Sequence, residues 1–170
     1  MGDLGLMLRS AKFSDDGVYR WRLERRWGDG PVAAILGVNP STANGETDDP
    51  TIRKDIGFGQ RLGWGGIIKG NKFAFCAKDV NALKTARDPV GPENEAQLEQ
   101  IMRDADVVVA AWGPLAKLPK HLRSRWKAVV AIADRVGKPL MCWGTVQDGQ
   151  PYHTLMLAYS TPLIEWKRPA

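Results

Sequence analysis

The apolar run VAAILGV at Val32–Val38 constrains the fold more than any other part of the chain. A stretch of this length with no polar alternation suits a strand covered on both faces, as at the centre of a parallel sheet. It stops at Asn39-Pro40-Ser41-Thr42-Ala43-Asn44-Gly45, where proline withholds a ladder donor and small polar residues favour a tight loop with free backbone amides. Similar apolar runs recur at Ile67–Phe75, with Gly70 as a bulge or close-approach point, at Asp106–Gly113 and at Pro139–Gly144. The segments between them read as helices. Asp49 caps and Pro50 opens a helix to Leu62; Ala96, Leu98, Ile101 and Met102 share a face within Glu93–Arg103; Leu122, Trp126, Val129, Val130 and Ala133 face inward within Leu118–Val136, which Gly137 ends. Alternation of this kind predicts right-handed crossovers and an α/β fold, a three-layer α/β/α arrangement around a central four-stranded parallel sheet. Ahead of it, VYRWRLERRW at Val18–Trp27 puts Tyr19, Trp21 and Leu23 on one side and Arg20, Arg22 and Glu24 on the other, a half-exposed strand. Residues 1–31 therefore read as an antiparallel strand or hairpin added to a core spanning residues 32–166.

The 170 residues suit one domain, and 44% hydrophobic with 25% charged residues excludes a disordered or fibrous chain. No apolar run reaches the roughly 20 residues that span a bilayer, and the first residues lack the order of a signal peptide, so a cytoplasmic protein with no membrane contact is expected. Cys76 and Cys142 are too few for a disulfide framework and too far apart for a metal knuckle, so metal chemistry is not expected. There is no Gly-x-Gly-x-x-Gly after the first core strand, no phosphate-binding Gly-Lys-Ser/Thr loop and no Gly-x-Ser-x-Gly elbow. The net charge of +5 makes a polyanionic partner plausible, although mild basicity is common in domains that bind none. Seven tryptophans suit core packing and base stacking equally.

Candidate chemistry gathers at strand ends. The stretch Gly37–Asn44, with Glu46, Asp48 and Asp49 behind it, can meet a phosphate or sugar through the amides and hydroxyls of Ser41 and Thr42, while Asn39 holds water or a base edge. Asn71, in an apolar strand, needs partners if buried, and its amide offers the paired donor and acceptor that a pyrimidine edge needs. Of the two histidines, His153 falls on the same sheet edge as the Asn39 loop and His121 on a basic, exposed face. The stretch KLPKHLRSRWK at Lys117–Lys127 either rides on phosphates or is a solvated face.

In this order the motifs resemble the uracil-DNA glycosylase superfamily. They resemble more closely a group of bacterial proteins of uncharacterised domain type that share Asn-Pro-Ser-Thr-Ala, Asp-Asp-Pro-Thr-Ile-Arg, Asp-Pro-Val-Gly-Pro-Glu-Asn and Ala-Trp-Gly. The likeness covers residues 32–166. Gly37-Val38-Asn39-Pro40 stands where the superfamily has Gly-Ile-Asn-Pro-Gly or Gly-Gln-Asp-Pro-Tyr-His, which makes Asn39 the water-positioning residue. Ile67–Asn71 matches the strand whose final Asn reads the base, Val107–Gly113 the strand running into Trp-Gly, and Ile164-Glu165-Trp166 the superfamily's ending. Ser41 replaces a Gly or Tyr, His153-Thr154-Leu155 replaces His-Pro-Ser, and the acidic water activator is missing from its usual place, with Asp48 and Asp49 nearby.

The resemblance implies a monomeric, cofactor-free enzyme that flips uracil out of single- or double-stranded DNA and cleaves the N-glycosidic bond in base-excision repair. Asn39 and His153 are then catalytic, and Gly37, Val38, Pro40, Ser41, Thr42, Phe58 and Asn71 bind the base, with Phe58 the candidate stacking ring. Lys117, Lys120 and Arg123 contact DNA, and Leu155 or Met156 wedges into the vacated stack. Lys117–Lys127, Arg53 and Arg61 are expected to border the Asn39 and His153 edge. Two other readings stay open: an N-glycosidase or hydrolase acting on free nucleosides or nucleotides, and a nucleic-acid-binding module without chemistry.

Overall fold

The computed structural model describes residues 6–170. Its centre is β3 (Val32–Gly37), every residue of which is buried. Because successive side chains of a strand alternate between faces, the run needs cover on both. Ala34 and Leu36 join Ile68, Val108 and Ala110 in a cluster closed by α2 (Asn94–Asp104) and α3 (Arg125–Val136). On the opposite face Ala33 and Ile35 join Ile67 and Val109 beneath α1 (Pro50–Arg61), Trp64 and Trp143. Each large side chain wholly buried this way contributes about 1.5–3 kcal/mol.

The sheet has seven strands. To those named it adds β1 (Leu8–Phe13), β2 (Arg20–Arg26), β4 (Gly66–Asn71), β5 (Val107–Ala110), β6 (Leu140–Cys142) and β7 (Ile164–Glu165), in the order β1-β2-β4-β3-β5-β6-β7. β4, β3, β5 and β6 are mutually parallel, while β2 joins β4 and β7 joins β6 antiparallel. The general α/β class therefore holds, and the N-terminal segment is a hairpin that extends the same sheet. Among the described residues no helix is long and apolar enough to cross a membrane.

Local chemistry accounts for the boundaries. Asp49 caps α1 by accepting from Ile52 N–H at 2.9 Å, and Pro50 fits the first turn, where its missing N–H costs nothing. The third helix begins at Arg125, not at Leu118 as the periodicity predicts. Pro119 disfavours helical backbone at Leu118, and residues 115–122 form two short 3₁₀ turns instead. Gly70 makes no bulge: its β4 register with β3 is unbroken, and a Cβ there would come within 3.0 Å of Leu98 and 3.1 Å of Ile101, which fixes the approach of α2.

Burial departs from the predicted alternation in β2. Arg20 and Arg25 are buried because their guanidinium groups find main-chain acceptors in the loop after β3. Arg20 Nη1 donates to Ala43 O at 2.9 Å; Arg25 Nη2 donates to Asn44 O at 2.6 Å, and its Nε to Asp48 Oδ1 at 2.8 Å. The hairpin thus shapes the loop that carries Asn39.

Lys72, just past β4, is a buried cation without a carboxylate partner among the described residues; its Nζ lies 5.2 Å from the Trp112 ring. Burial, aided by Arg125, lowers its pKa from 10.5 to about 7. The stability it contributes is present above pH 10.5 and lost as pH falls toward 7, because the unfolded chain takes up the proton first. Urea unfolding should find Lys72→Met more stable than the parent by about 1–2 kcal/mol at pH 7, with a flatter dependence between pH 9 and 7.

Candidate active site

β3 and β5 lie side by side and parallel, yet the connection from β3 leads through α1 to β4 on one flank, and that from β5 leads through α3 to β6 on the other. Between such strands the departing loops separate and leave a crevice at their C-terminal ends. A cleft of about 750 Å³ opens there, walled by the Asn39 loop, the end of β4, the Trp112-Gly113 turn and the segment around His153. The His153 segment is fixed by main-chain bonds: Gly113 N–H donates to Pro151 O at 2.8 Å and Tyr152 N–H to Gly144 O at 3.0 Å. Gly113 has φ of 76°, and the turn it permits brings the backbone against His153.

His153 is largely buried. Its Nδ1 accepts from Leu155 N–H at 3.2 Å, so the ring proton resides on Nε2. Burial first, then the positive charge of Lys69, lowers its pKa to about 4, with Asp55 and Asp49 opposing and Lys117 adding to the effect. At neutral pH it is therefore an uncharged N–H donor.

Asn71 ends β4 almost wholly buried, and its Nδ2 has no partner among the described residues. An amide donor left unpaired in a cleft wall is costly unless a ligand or water meets it. Gly37 must lack a side chain here: a Cβ would lie 2.8 Å from Asn71 Oδ1 and 3.3 Å from Lys69 Nζ. Asn39 spends its amide hydrogens on the loop, donating to Pro40 O at 3.0 Å and Ala77 O at 2.9 Å, and keeps Oδ1 as an acceptor.

Of the residues expected at the site, Gly37, Val38, Asn39, Ser41, Asn71, Lys117, His153, Leu155 and Met156 line this cleft. Phe58 does not. It is buried on the core side of α1, 4.5 Å between ring centroids from Trp143 and 5.1 Å from Tyr159, so no base can reach its face. Pro40 is a buried loop residue whose carbonyl accepts from Asn39 and Ala77, and Thr42 is exposed outside the cleft. Lys120 lies beyond the rim, and Arg123 folds back onto Leu118 O and Ala116 O, because the broken helix turns this stretch on itself.

The basic border also differs from the expectation. Arg53 donates to Asp48 O, Arg61 lies over Tyr159, and Arg125 pairs with Glu95. The cations lining the cleft are Arg20, Lys69, Lys78 and Lys117. Asp48 is held by Arg9 and Arg25, which keep its carboxyl below the usual range against the opposing effect of burial, and it does not line the cleft. Asp49 does, while also capping α1.

Sequence reasoning missed Arg20, Lys69 and Asp55. Arg20 leaves its buried Nε without a partner, and burial lowers its pKa to about 10, with Asp49 opposing. Lys69 Nζ donates to the fully buried Asp55 at 2.8 Å. Lysine inside an apolar strand was the available signal, since such a charge must find a partner. Among the described residues no group of three His, Cys, Asp or Glu side chains is placed to hold a metal ion.

Fold and cleft together define an α/β protein with a cleft lined by hydrogen-bond donors at the switch point of its parallel strands. Residues 20–155 match the family described as Protein of unknown function (DUF1643), and the chain belongs to it. No curated protein and no solved structure matches the chain.

The state of His153 can be read directly. Its imidazole resonances should titrate near pH 4 by NMR. The stability it contributes is present above its ordinary value near 6.5 and lost as pH falls toward 4, so acid unfolding in that window should be shallower in His153→Gln.

Proposed function

We propose that the cleft excises uracil from DNA by hydrolysing its N-glycosidic bond. The observation that carries this reading is the unpartnered amide of Asn71, set in one cleft with the uncharged Nε2–H of His153 and the free Oδ1 of Asn39. The order β4-β3-β5-β6 with helices on both faces supports it too, being the parallel core that the sequence resemblance implies.

In this reading Asn71 offers Nδ2–H and Oδ1 to the carbonyl and N–H along one edge of the pyrimidine. His153 donates to the carbonyl nearer the sugar, where charge grows as the bond breaks. The electron pair of the N–C1′ bond stays on the base. Water held at Asn39 Oδ1 adds to C1′, and its proton goes to the Asp49 carboxylate. Tyr152, the exposed ring of the cleft wall, takes the stacking role that Phe58 cannot fill. Lys78 and Lys117 at the rim meet phosphates, and the 90% exposed Met156 is the wedge.

Oligonucleotides with one uracil, single- or double-stranded, should break at that position on alkali treatment after incubation with the protein. His153→Ala and Asn39→Ala, assayed at a temperature where both remain folded, should each slow release on the order of 10²–10³-fold. DNA affinity should fall steeply with added salt. Intact DNA beside cleavage of free nucleosides, with little salt dependence, would move the assignment to a nucleoside hydrolase.

A further inference from the structure

A buried ion pair at the cleft floor has no task in the mechanism above. Lys69 rises from β4 toward α1, its Nζ 2.8 Å from Asp55 Oδ2, with both side chains almost wholly covered. Taking two charges out of water is costly, and apolar residues would join α1 to β4 at least as well. The pair is also asymmetric toward the cleft: Lys69 lines it, whereas Asp55 lies behind. The second oxygen of Asp55 accepts from Thr154 Oγ1 at 2.8 Å, next to His153. Lys69 Nζ has no other partner among the described residues. It stands beside Gly37 and Asn71 Oδ1, close to the orphaned Asn71 Nδ2.

We propose that Lys69 supplies the positive charge against which the departing base becomes an anion, with Asp55 as the positioning residue for both Lys69 and the His153 segment. This deepens the glycosylase reading and rests on it. When the N–C1′ bond breaks, its electron pair stays on the ring. The ammonium meets that charge without giving up a proton, and the attacking water still loses its proton to Asp49. A neutral imidazole donates one hydrogen bond, whereas Lys69, with its counter-ion behind it, presents the positive end of the pair to the cleft in a site shielded from water. Lys117 cannot substitute, because it is exposed at the rim. His153 is faced by Lys69 from β4, by Asp55 and Asp49 from α1 and its cap, and by Lys117 from the turn after β5.

The test is single-turnover excision by the full chain from DNA carrying uracil or 5-fluorouracil, whose fluorine already stabilises the ring anion. With saturating DNA, Lys69→Met should slow uracil release about 10²-fold and leave DNA affinity within about twofold. Its loss with 5-fluorouracil should be about tenfold smaller, and Lys69→Arg should recover part of the rate. The NMR titration of His153 should move upward in Lys69→Met, since a neighbouring positive charge is gone. The Asp55→Asn, Lys69→Met double variant removes both charges of the pair, and it should show the same dependence on the leaving base if Lys69→Met alone fails to fold. Equal losses for both bases, or a loss confined to DNA affinity, would overturn the role of Lys69 and leave the glycosylase reading standing. A parent protein that releases neither base would overturn both.

Discussion

The buried carboxylate of Asp55 is the interaction on which the functional end of the molecule depends. One oxygen holds Lys69 on β4 and the other holds Thr154 beside His153, so a single side chain of α1 fixes two walls of the cleft. A carboxylate with no exposure is tolerable only when both oxygens are met by donors, and here each is. The constraint is mutual: α1 cannot shift on the sheet without separating the histidine from the strand end that faces it.

This arrangement concentrates donors. Asn71, His153, Lys69 and Arg20 line one cavity, and Asn71 Nδ2 and Arg20 Nε have no hydrogen-bond partner among the described residues. Hydrogen bonds that a protein leaves unmade in a desolvated cleft favour a ligand rich in carbonyl oxygens or negative charge. The Cβ-free Gly37 leaves room for the side chains of Asn71 and Lys69 against the central strand. The parts follow from the sheet: parallel strands bring their C-terminal ends to one edge, and the connections leaving β3 and β5 toward opposite flanks open the space between them.

Much of this is legible in the amino-acid order. Val32–Val38 reads as a doubly covered strand because nothing polar interrupts it, Asn39 and Asn71 stand out as polar residues at strand ends, and His153 follows the last apolar run. What escapes the eye depends on partners distant in sequence. Phe58 shares a helix with cleft residues, and only packing reveals that its ring turns toward Trp143. Arg20 alternates as an exposed residue should, yet its guanidinium is drawn inward by a carbonyl 23 positions away. Lys69, within an apolar strand, looks like an isolated anomaly, and Asp55, following Arg53 and Lys54, like an ordinary solvated helix residue, until the fold pairs them. α3 starts later than the helical spacing of the leucines predicts, because the effect of Pro119 on Leu118 outweighs that spacing.

The N-terminal hairpin bears on where this protein ends as a functional unit. β2 lies outside the segment that reads as the parallel core, yet Arg20 enters the cavity wall and Arg25 gathers the carbonyls of the loop beside it. A chain cut ahead of Val32 would keep the parallel strands and their helices but expose the long edge of β4 and release the Ala43–Asp48 loop from its two anchors. Core and hairpin are thus one heritable module: neither can be transplanted, shortened or exchanged between chains without dismantling the cavity that the other completes.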